Sequence, residues 1–149
     1  MIKVAICDDD MQFIYKLEQS IFRFAEMKRI KVDVDGYTSG AEFIQKLQQS
    51  ERYDLLFLDI ELGDSSGIIV GNWIRSHIQY ESMQIVFVSA KEMYAMQLFD
   101  LRPMNFLVKP IQQERVDYIL DEYERLYQFQ PHIIEIGKGR NSIRIEEHS

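Results

Sequence analysis

Short apolar runs recur along the chain, and stretches with helical spacing separate them. Four of these runs are almost entirely apolar: residues 2–7, 55–58, 85–88 and 106–108. Runs of this length without polar alternation are typical of strands that are covered on both faces, as in a parallel sheet. Residues 31–37 alternate instead, with Val32 and Val34 set between aspartates, and this pattern predicts a half-exposed edge strand.

Helical patterns lie between the apolar runs. The spacing of one helix face is met by four apolar residues of the first such segment, Ile14, Leu17, Ile21 and Phe24. Residues 116–127 follow the same pattern near the end of the chain. Ser39 is a candidate N-cap for a helix that ends near residue 49, with Glu42 in the capping-box position. Residues 67–77 and 91–99 provide two further candidate helices.

The order of elements is therefore a strand followed by a helix, repeated five times. This alternation predicts an α/β fold, with a parallel five-stranded sheet and helices on both faces. Right-handed crossovers and five strands favour the flavodoxin-like (βα)5 strand order 2-1-3-4-5. We predict that this domain covers residues 1–128, and that residues 129–149 form a linker and a hairpin-like tail around a GKGRN turn.

Composition narrows the classes of function. The formal net charge of -7 argues against a general nucleic-acid surface, which needs clustered Lys and Arg. Cys7 is the one cysteine, so an intramolecular disulfide is excluded and a reducing compartment is indicated. No apolar stretch approaches the ~20 residues that a membrane span requires. We therefore expect a cytoplasmic protein without membrane contact.

Chemically active side chains follow the predicted strands. In an open α/β sheet, ligands bind beyond the carboxyl ends of the strands. The residues that the strands deliver there are Asp8, Asp9 and Asp10 after the first, Asp59 after the third, Ser89 and Ala90 after the fourth, and Lys109 after the fifth. Strands one and three are predicted neighbours, so their carboxylates should converge. Like charges repel one another, and oxygen ligands with room for water suit Mg²⁺.

A carboxylate beside Mg²⁺, a lysine and a hydroxyl is suited to accepting a phosphoryl group. Asp59 would be the nucleophile and would become an acyl phosphate. The metal, Lys109, Ser89 and a backbone N–H close to Ala90 would neutralise the phosphoryl oxygens. A carboxylate is already ionised at neutral pH, so no general base is required.

Five segments in this order resemble the receiver domain of two-component response regulators. They are VAICDDD, LLFLDIEL, a glycine eight residues after Asp59, IVFVSA and NFLVKP. The resemblance covers residues 2 to about 127. It implies that Asp59 is the phosphoacceptor, that a sensor histidine kinase is the donor and that Mg²⁺ is the cofactor. It also implies that Asp9 is the main metal ligand, that Asp8 acts largely through water, and that Glu61 offers its backbone carbonyl.

The same resemblance implies a switch rather than an enzyme, although the domain would catalyse its own phosphorylation and slow dephosphorylation. Ser89 would move toward the phosphoryl group and Phe106 would turn into the vacated space. The face formed by the fourth helix, fifth strand and fifth helix would then favour a homodimer. The family also has a cis Lys109–Pro110 peptide. Three departures stand out: Gly63 replaces a usual proline, Ser66 stands where an acid is common, and Phe106 lacks the hydroxyl of the commoner tyrosine.

The segment IIEIGKGRNSIRI in the tail resembles the opening strands of the LytTR type of DNA-binding domain. We therefore expect a receiver piece of a longer transcriptional regulator, in which DNA is bound only through an output domain that this chain lacks.

Other interpretations of the same residues remain. Asp59 and Glu61 mimic the D-x-D motif of aspartate-nucleophile phosphohydrolases of the haloacid-dehalogenase type. That family, however, places its nucleophile after the first strand and usually adds a cap. A nucleotide- or flavin-binding module is a third interpretation, but the acidic loop after the first strand has no glycine and would repel a phosphate. The first three aspartates could simply cap a helix, and Phe106 could simply be core.

One further expectation concerns the mouth of the site. Glu61 and Lys91 each lie two residues beyond a strand-end residue of the site. There they could pair with each other and hinder the attack of water on a phosphorylated Asp59.

Overall fold

The computed structural model describes residues 1–78 and 83–128 of the 149-residue chain. Its strands are β1 (Ile2–Cys7), β2 (Val32–Tyr37), β3 (Leu55–Asp59), β4 (Gln84–Ser89) and β5 (Asn105–Val108). The α-helices of these residues are α1 (Met11–Lys28), α2 (Gly40–Gln48), α3 (Gly67–His77) and α4 (Gln113–Tyr123). A 3-10 helical segment occupies Glu92–Leu101, and a π-helical turn at Glu124–Gln128 extends α4.

The strands form one parallel sheet in the order β2-β1-β3-β4-β5, which confirms the predicted fold class and strand order. β2 lies at one edge and is only partly buried, in keeping with its alternating sequence. Every residue of β3, at the centre, is buried. Cys7 pairs with Leu58 in the register of β1 and β3, so these strands end side by side. The residues that follow them must therefore meet at one place.

Helices cover both faces of the sheet. α1 packs beside α4 on one face, while α3 contacts α2 and the 3-10 segment on the other. The sheet residues alternate between two apolar layers, because successive side chains of a strand point to opposite faces. In β1, Val4 and Ile6 belong to the layer under α1 and α4, and Ala5 and Cys7 belong to the other. Burial of both faces explains why these strands read as continuous apolar runs.

Side-chain caps begin three of the helices. Asp10 accepts from backbone N–H groups of α1, Ser39 accepts from Glu42 N in α2, and Ser66 accepts from Ile68 N in α3. Each cap satisfies an N–H that has no partner within its helix. The predicted role of Ser39 as an N-cap is confirmed.

The fourth predicted helix differs from expectation, because Glu92–Leu101 is a 3-10 helix rather than an α-helix. Its N-cap residue, Lys91, makes no side-chain hydrogen bond to the first turn. Leu98 and Leu101 are buried, whereas Phe99 between them is 80% exposed. Both leucines belong to the apolar layer that contains Phe87, so this part of the segment packs against the sheet.

No helix within residues 1–78 and 83–128 is both long and apolar enough to cross a membrane. The predicted hairpin-like tail, residues 129–149, lies outside the described residues.

Candidate functional site

Three carboxylates meet where β1 and β3 end. Oxygen atoms of Asp8, Asp9 and Asp59 all lie within 4.8 Å of one another. Asp8 and Asp59 are buried, with 1% and 4% of their surface exposed, while Asp9 is exposed. The convergence follows from the register of the two strands, because both acids lie just beyond paired positions. The grouping predicted from the strand ends is therefore present.

The ammonium of Lys109 reaches this cluster from the end of β5. Its Nζ lies 2.8 Å from Asp8 Oδ2 and 3.6 Å from Asp59 Oδ2. The same nitrogen lies 4.3 Å from the ring centroid of Phe13, in the first turn of α1, which is within cation–π distance. The peptide between Lys109 and Pro110 is cis, as predicted. Lys109 is thus held between two carboxylates and an aromatic face.

Burial and mutual repulsion make the Asp59 carboxylate hard to ionise. Burial raises the pKa of Asp59 from 3.8 to about 6, and the negative charge of Asp8 adds to the rise. The ammonium of Lys109 and the backbone N–H of Glu61, 3.2 Å from Asp59 Oδ1, act in the opposite direction. Burial lowers the pKa of Lys109, but its close contact with the Asp8 carboxylate and the charge of Asp59 outweigh burial and raise the pKa overall. Lys109 therefore stays charged at neutral pH.

The donor set fits a hard divalent cation. The three carboxylates carry one negative charge each when ionised, and Lys109 is the single cation placed between them in the described site. A divalent ion would balance the remaining charge, and carboxylate oxygens are the ligands that Mg²⁺ prefers. The exposed position of Asp9 leaves one side of the cluster open to solvent, as an ion that retains water requires.

Asp10 does not belong to the cluster. Its Oδ1 accepts hydrogen bonds from Gln12 N at 2.9 Å and from Phe13 N at 3.4 Å, at the start of α1. Asp8 Oδ1 in turn accepts from the backbone N–H of Asp10 at 2.8 Å. The capping interpretation of the acidic run therefore holds for its third member and not for its first two.

Ser89 and Phe106 share one face of the sheet. Ser89 is fully buried at the end of β4, and its Oγ accepts from Lys91 N at 2.9 Å. Phe106 pairs in register with Phe87, two residues before Ser89, and packs partly buried against the apolar layer that contains Phe87. Ala90, which directly follows Ser89, is exposed. The predicted catalytic and switch roles of Ser89, Ala90 and Phe106 remain predictions.

An ion pair spans the mouth of the site. Lys91 Nζ lies 3.1 Å from Glu61 Oε2, so the pairing expected from the sequence is confirmed. Both side chains are more than a third exposed. The pair therefore contributes little to the stability of the protein. Its two residues lie just beyond the carboxyl ends of β3 and β4, next to the site.

The loop between β3 and α3 folds back on itself. Gly67 N donates to Ile60 O at 2.7 Å, which closes the loop at its base. The backbone approaches so closely there that a Cβ on Gly67 would lie 2.2 Å from the carbonyl oxygen of Asp59. Only glycine fits this position. The loop also approaches the acidic cluster, since a Cβ on Gly63 would lie 3.2 Å from Asp9 Oδ2.

Two residues at the site were missed by sequence reasoning. Neither Phe13, whose ring lies beside the Lys109 ammonium, nor Asp64, in the loop after β3, was singled out from the sequence. Asp64 reaches across to α2, where its carboxylate accepts from Gly40 N and Ala41 N, each at 3.1 Å. No local pattern pointed to the contact of Phe13 with a lysine far along the chain. No local pattern pointed to the bonds of Asp64 either, because they join residues more than twenty positions apart.

Comparison with known proteins identifies relatives. The family described as response regulator receiver domain matches residues 4–121 of the chain. Sensory transduction protein LytT from Bacillus cereus is 30% identical over 149 residues, which cover 99% of this chain and 57% of the relative. Sensory transduction protein LytR from Streptococcus agalactiae is 30% identical, over 85% of this chain and 49% of its own length. The chain thus spans about half the length of the curated relatives it matches.

Solved structures agree on the fold. The response regulatory domain of protein mrkE from Klebsiella pneumoniae superimposes with a TM-score of 0.74 at 22% identity, covering 87% of this chain and all of the other. A two-component response regulator from Clostridium difficile gives 0.70 at 25% identity, covering 85% and 98%. Response regulator TrrA from Thermotoga maritima, in complex with Mg²⁺ and BeF, gives 0.66 at 23% identity, covering 82% and 98%.

Proposed function

The chain belongs to the response regulator receiver domain family, and we propose that it acts as a phosphorylation-controlled switch whose phosphoacceptor is Asp59. The family makes it a signalling module and not a dedicated enzyme. The observation that carries the assignment is the meeting of three carboxylates within 4.8 Å beside the ammonium of Lys109. Of the three, Asp59 is the one whose carboxylate lies at the centre of the sheet edge, between β1 and β4.

The proposed reaction is a transfer of one phosphoryl group. A carboxylate oxygen of Asp59 attacks phosphorus, a P–O bond to Asp59 forms, and the bond from phosphorus to the donor breaks. With a histidine kinase as donor, the broken bond is P–N and the leaving group is the kinase imidazole, which takes up a proton. With acetyl phosphate the broken bond is P–O and acetate leaves. The ionised carboxylate supplies the electron pair, so no base is needed.

Mg²⁺ is the cation that we propose for the cluster. Asp9 and Asp59 would hold it directly, Asp8 largely through water, and Glu61 through its backbone carbonyl. When bound, it offsets the negative charge of the carboxylates and of the incoming phosphoryl oxygens. Lys109 supplies the second positive charge, and its distance of 3.6 Å from Asp59 Oδ2 brings it within reach of a phosphoryl group there. The hydroxyl of Ser89 and the backbone N–H of Ala90 would bind the remaining oxygens.

Phosphorylation would be transmitted through the face of the sheet that Ser89 and Phe106 share. The movement of Ser89 toward the phosphoryl group would leave space that the ring of Phe106 can enter, next to the 3-10 segment. That segment, β5 and α4 carry exposed apolar side chains, among them Met96, Phe99 and Tyr118. We propose that these three elements form the face whose partner changes, with a homodimer as the phosphorylated form.

The output function is proposed from the relatives. The names of the matched LytT and LytR proteins describe sensory transduction, and each is about twice as long as the matched region. We propose that this receiver belongs to a transcriptional regulator of the LytTR type, in which DNA is bound by a domain other than the receiver. The net charge of -7 on the chain supports placing DNA contact elsewhere. The haloacid-dehalogenase alternative is not favoured, because the chain belongs to the receiver family and Asp59 follows the third strand.

The test is phosphorylation of the purified chain by acetyl phosphate with Mg²⁺, measured by intact mass. The wild-type protein should gain one phosphoryl group, and Asp59→Asn should gain none. EDTA should abolish labelling of the wild type. Asp10→Asn is the matched control, because asparagine caps a helix as well as aspartate does. It removes an acid beside the cluster and should leave labelling intact.

Undiminished labelling of Asp59→Asn would overturn the assignment of the acceptor. Labelling in EDTA at the wild-type rate would overturn the role of the metal. Turnover of a phosphate ester to free phosphate, without a stable labelled form, would favour the phosphohydrolase.

A further inference from the structure

Asp64 connects the loop between β3 and α3, residues 60–66, to the start of α2. We call this loop the acceptor loop, because it follows Asp59. Asp64 Oδ1 accepts from Gly40 N and Asp64 Oδ2 from Ala41 N, both at 3.1 Å. These two donors belong to the first turn of the helix, where N–H groups have no partner within it. The carboxylate is a better acceptor than a neutral group, and the two backbone N–H groups lower the pKa of Asp64. The contact therefore joins two elements that are distant in the chain.

α2 does not need this contact for its own cap. Ser39 Oγ already accepts from Glu42 N at 3.0 Å and caps the helix from within its own segment. Asp64 satisfies two different N–H groups of the same turn. The helix is thus capped twice, once locally by Ser39 and once from the acceptor loop by Asp64. The bonds of Asp64 therefore satisfy two further N–H groups of α2 and at the same time tie the loop to the helix.

The outer half of the loop is anchored from outside by the side chain of Leu62, which is buried in the apolar layer, and by the carboxylate of Asp64. The base of the loop is closed by the bond from Gly67 N to Ile60 O at 2.7 Å and by pairing of Glu61 with Ser66. At its tip, Gly63 has wide backbone freedom, since it has no side chain to restrict it. Within the described residues, the hydrogen bonds that hold the tip from outside the loop are those of Asp64.

The tip matters because it forms one wall of the acidic cluster. A Cβ on Gly63 would lie 3.2 Å from Asp9 Oδ2, so the loop backbone passes directly beside that carboxylate. Two residues earlier, Glu61 N donates to Asp59 Oδ1 at 3.2 Å. A shift of the tip therefore changes the surroundings of two of the three carboxylates.

We propose that Asp64 is a positioning residue for the cation site: by anchoring the loop tip to α2, it holds the backbone of residues 61–63 in the place that metal binding requires. The proposal rests on the proposed function, in which this cluster binds Mg²⁺ for phosphorylation of Asp59. Asp64 does not touch the cluster itself and acts only through the loop. Its role is distinct from that of the carboxylates, because loss of Asp64 should weaken metal binding without preventing phosphorylation.

The experiment measures Mg²⁺ affinity by calorimetry, and the rate of labelling by acetyl phosphate as Mg²⁺ is raised. Asp64→Ala should weaken Mg²⁺ binding by about three- to tenfold, less than the roughly 10- to 100-fold loss expected for a residue that bonds directly to a metal ligand. Labelling should slow by a similar factor at low Mg²⁺ and return to near the wild-type rate at saturating Mg²⁺. Asp64→Asn, which keeps one acceptor oxygen, should be intermediate.

Two controls separate positioning from other effects. Ser39→Ala removes the local cap of α2 but leaves the loop anchored, so it should lower the urea midpoint and leave Mg²⁺ affinity unchanged. Glu42→Gln removes an acid whose charge, like that of Asp64, reaches Cys7 beneath the site. This variant tests whether the loss of a nearby negative charge is enough to weaken Mg²⁺ binding. We expect its Mg²⁺ affinity to change by less than twofold.

Each outcome decides the matter. Mg²⁺ affinity of Asp64→Ala within twofold of the wild type would overturn the positioning role, and so would an equal loss in Ser39→Ala or Glu42→Gln. Failure of saturating Mg²⁺ to restore labelling would also count against it. If the wild type itself neither binds Mg²⁺ nor becomes labelled, the proposed function is overturned and this role with it. Normal behaviour of the wild type keeps the two questions separate.

Discussion

Asp59 should make the metal-free protein less stable than its asparagine variant at neutral pH. The carboxyl is buried, with 4% of its surface exposed, and faces the carboxylate of Asp8. Ionising it in the folded protein is therefore harder than in the unfolded chain, where it is solvated. Asp59→Asn removes the ionisable group, and its amide oxygen can still accept the hydrogen bond from Glu61 N. The variant should consequently unfold at a higher urea concentration.

The magnitude follows from the pKa of Asp59. Burial first, and the charge of Asp8 second, raise it from 3.8 to about 6. Each pKa unit corresponds to about 1.4 kcal/mol, so full ionisation costs the folded state about 3 kcal/mol. The pKa is higher in the folded state, so the contribution to stability is complete below pH 4 and is lost as the pH rises through about 6. The same linkage gives a difference of about 3 kcal/mol at pH 7.5 and about 1 kcal/mol at pH 4.5.

The assay is urea unfolding of the wild type and Asp59→Asn in EDTA at pH 7.5 and pH 4.5. The difference in stability between the two proteins is the quantity to compare, because it removes the contribution of titrating groups that do not interact with Asp59. Asp100→Asn, at an exposed position on the 3-10 segment, is the control for loss of one negative charge and should change stability by less than about 0.5 kcal/mol. Mg²⁺ at 100 times its Kd should stabilise the wild type by about 2.7 kcal/mol and so narrow the gap.

Equal stability of the two proteins in EDTA at pH 7.5 would refute the reasoning, since it would mean that the folded site ionises Asp59 without cost. A difference that grows from pH 7.5 to pH 4.5 would refute it as well, because the sign of the linkage would be reversed.

Three further variants probe the surroundings of the site. Lys91→Ala removes the ion pair at the mouth and should speed loss of the phosphoryl group up to about fivefold, the limit for an exposed pair; an unchanged decay of labelled mass would contradict this. Phe13→Leu removes the aromatic face 4.3 Å from the Lys109 ammonium and should slow labelling about two- to fivefold; full-rate labelling would show that the ring does not hold the amine. Gly67→Ala places a Cβ 2.2 Å from the Asp59 carbonyl oxygen and should cost about 3 kcal/mol in urea unfolding, and wild-type stability would argue against so close an approach.

The architecture was predictable because the three inner strands are covered on both faces. Burial of every residue of β3 forces the run at residues 55–58 to be apolar, and the run is visible without any structure. The half-exposed edge strand β2 was equally visible, since Asp33 and Asp35 alternate with valines. The 3-10 segment was not predictable in the same way. Its buried Leu98 and Leu101 are as compatible with an α-helix as with a 3-10 helix, and packing against the sheet decides between them.

The residues of the site also divide into those that the sequence predicts and those that it does not. Asp8 and Lys109 directly follow a strand and Asp59 is the last residue of one, so the strand order brings them together. Phe13 and Asp64 act from a helix turn and a loop tip, whose positions depend on tertiary packing. Neither the contact of Phe13 with Lys109 nor the bonds of Asp64 to α2 connect residues that any periodicity relates. Residues that complete the site by reaching across the fold were therefore the ones missed.

The cluster of carboxylates at the end of the sheet is unfavourable for folding, and the proposed function gives a reason for its presence. Oxygen atoms of three carboxylates lie within 4.8 Å of one another, with the Lys109 ammonium beside them. The raised pKa of Asp59 shows that its ionisation there is unfavourable. A protein selected for stability alone would place a neutral residue there. In the function that we propose, the site binds a cation and then responds to an added phosphoryl group, and repulsion among the carboxylates lets each added charge change the balance between conformations. Ionised Asp59 lowers the free energy of unfolding of the metal-free protein, and a bound divalent cation would raise it again. The stability of the site therefore depends on what is bound.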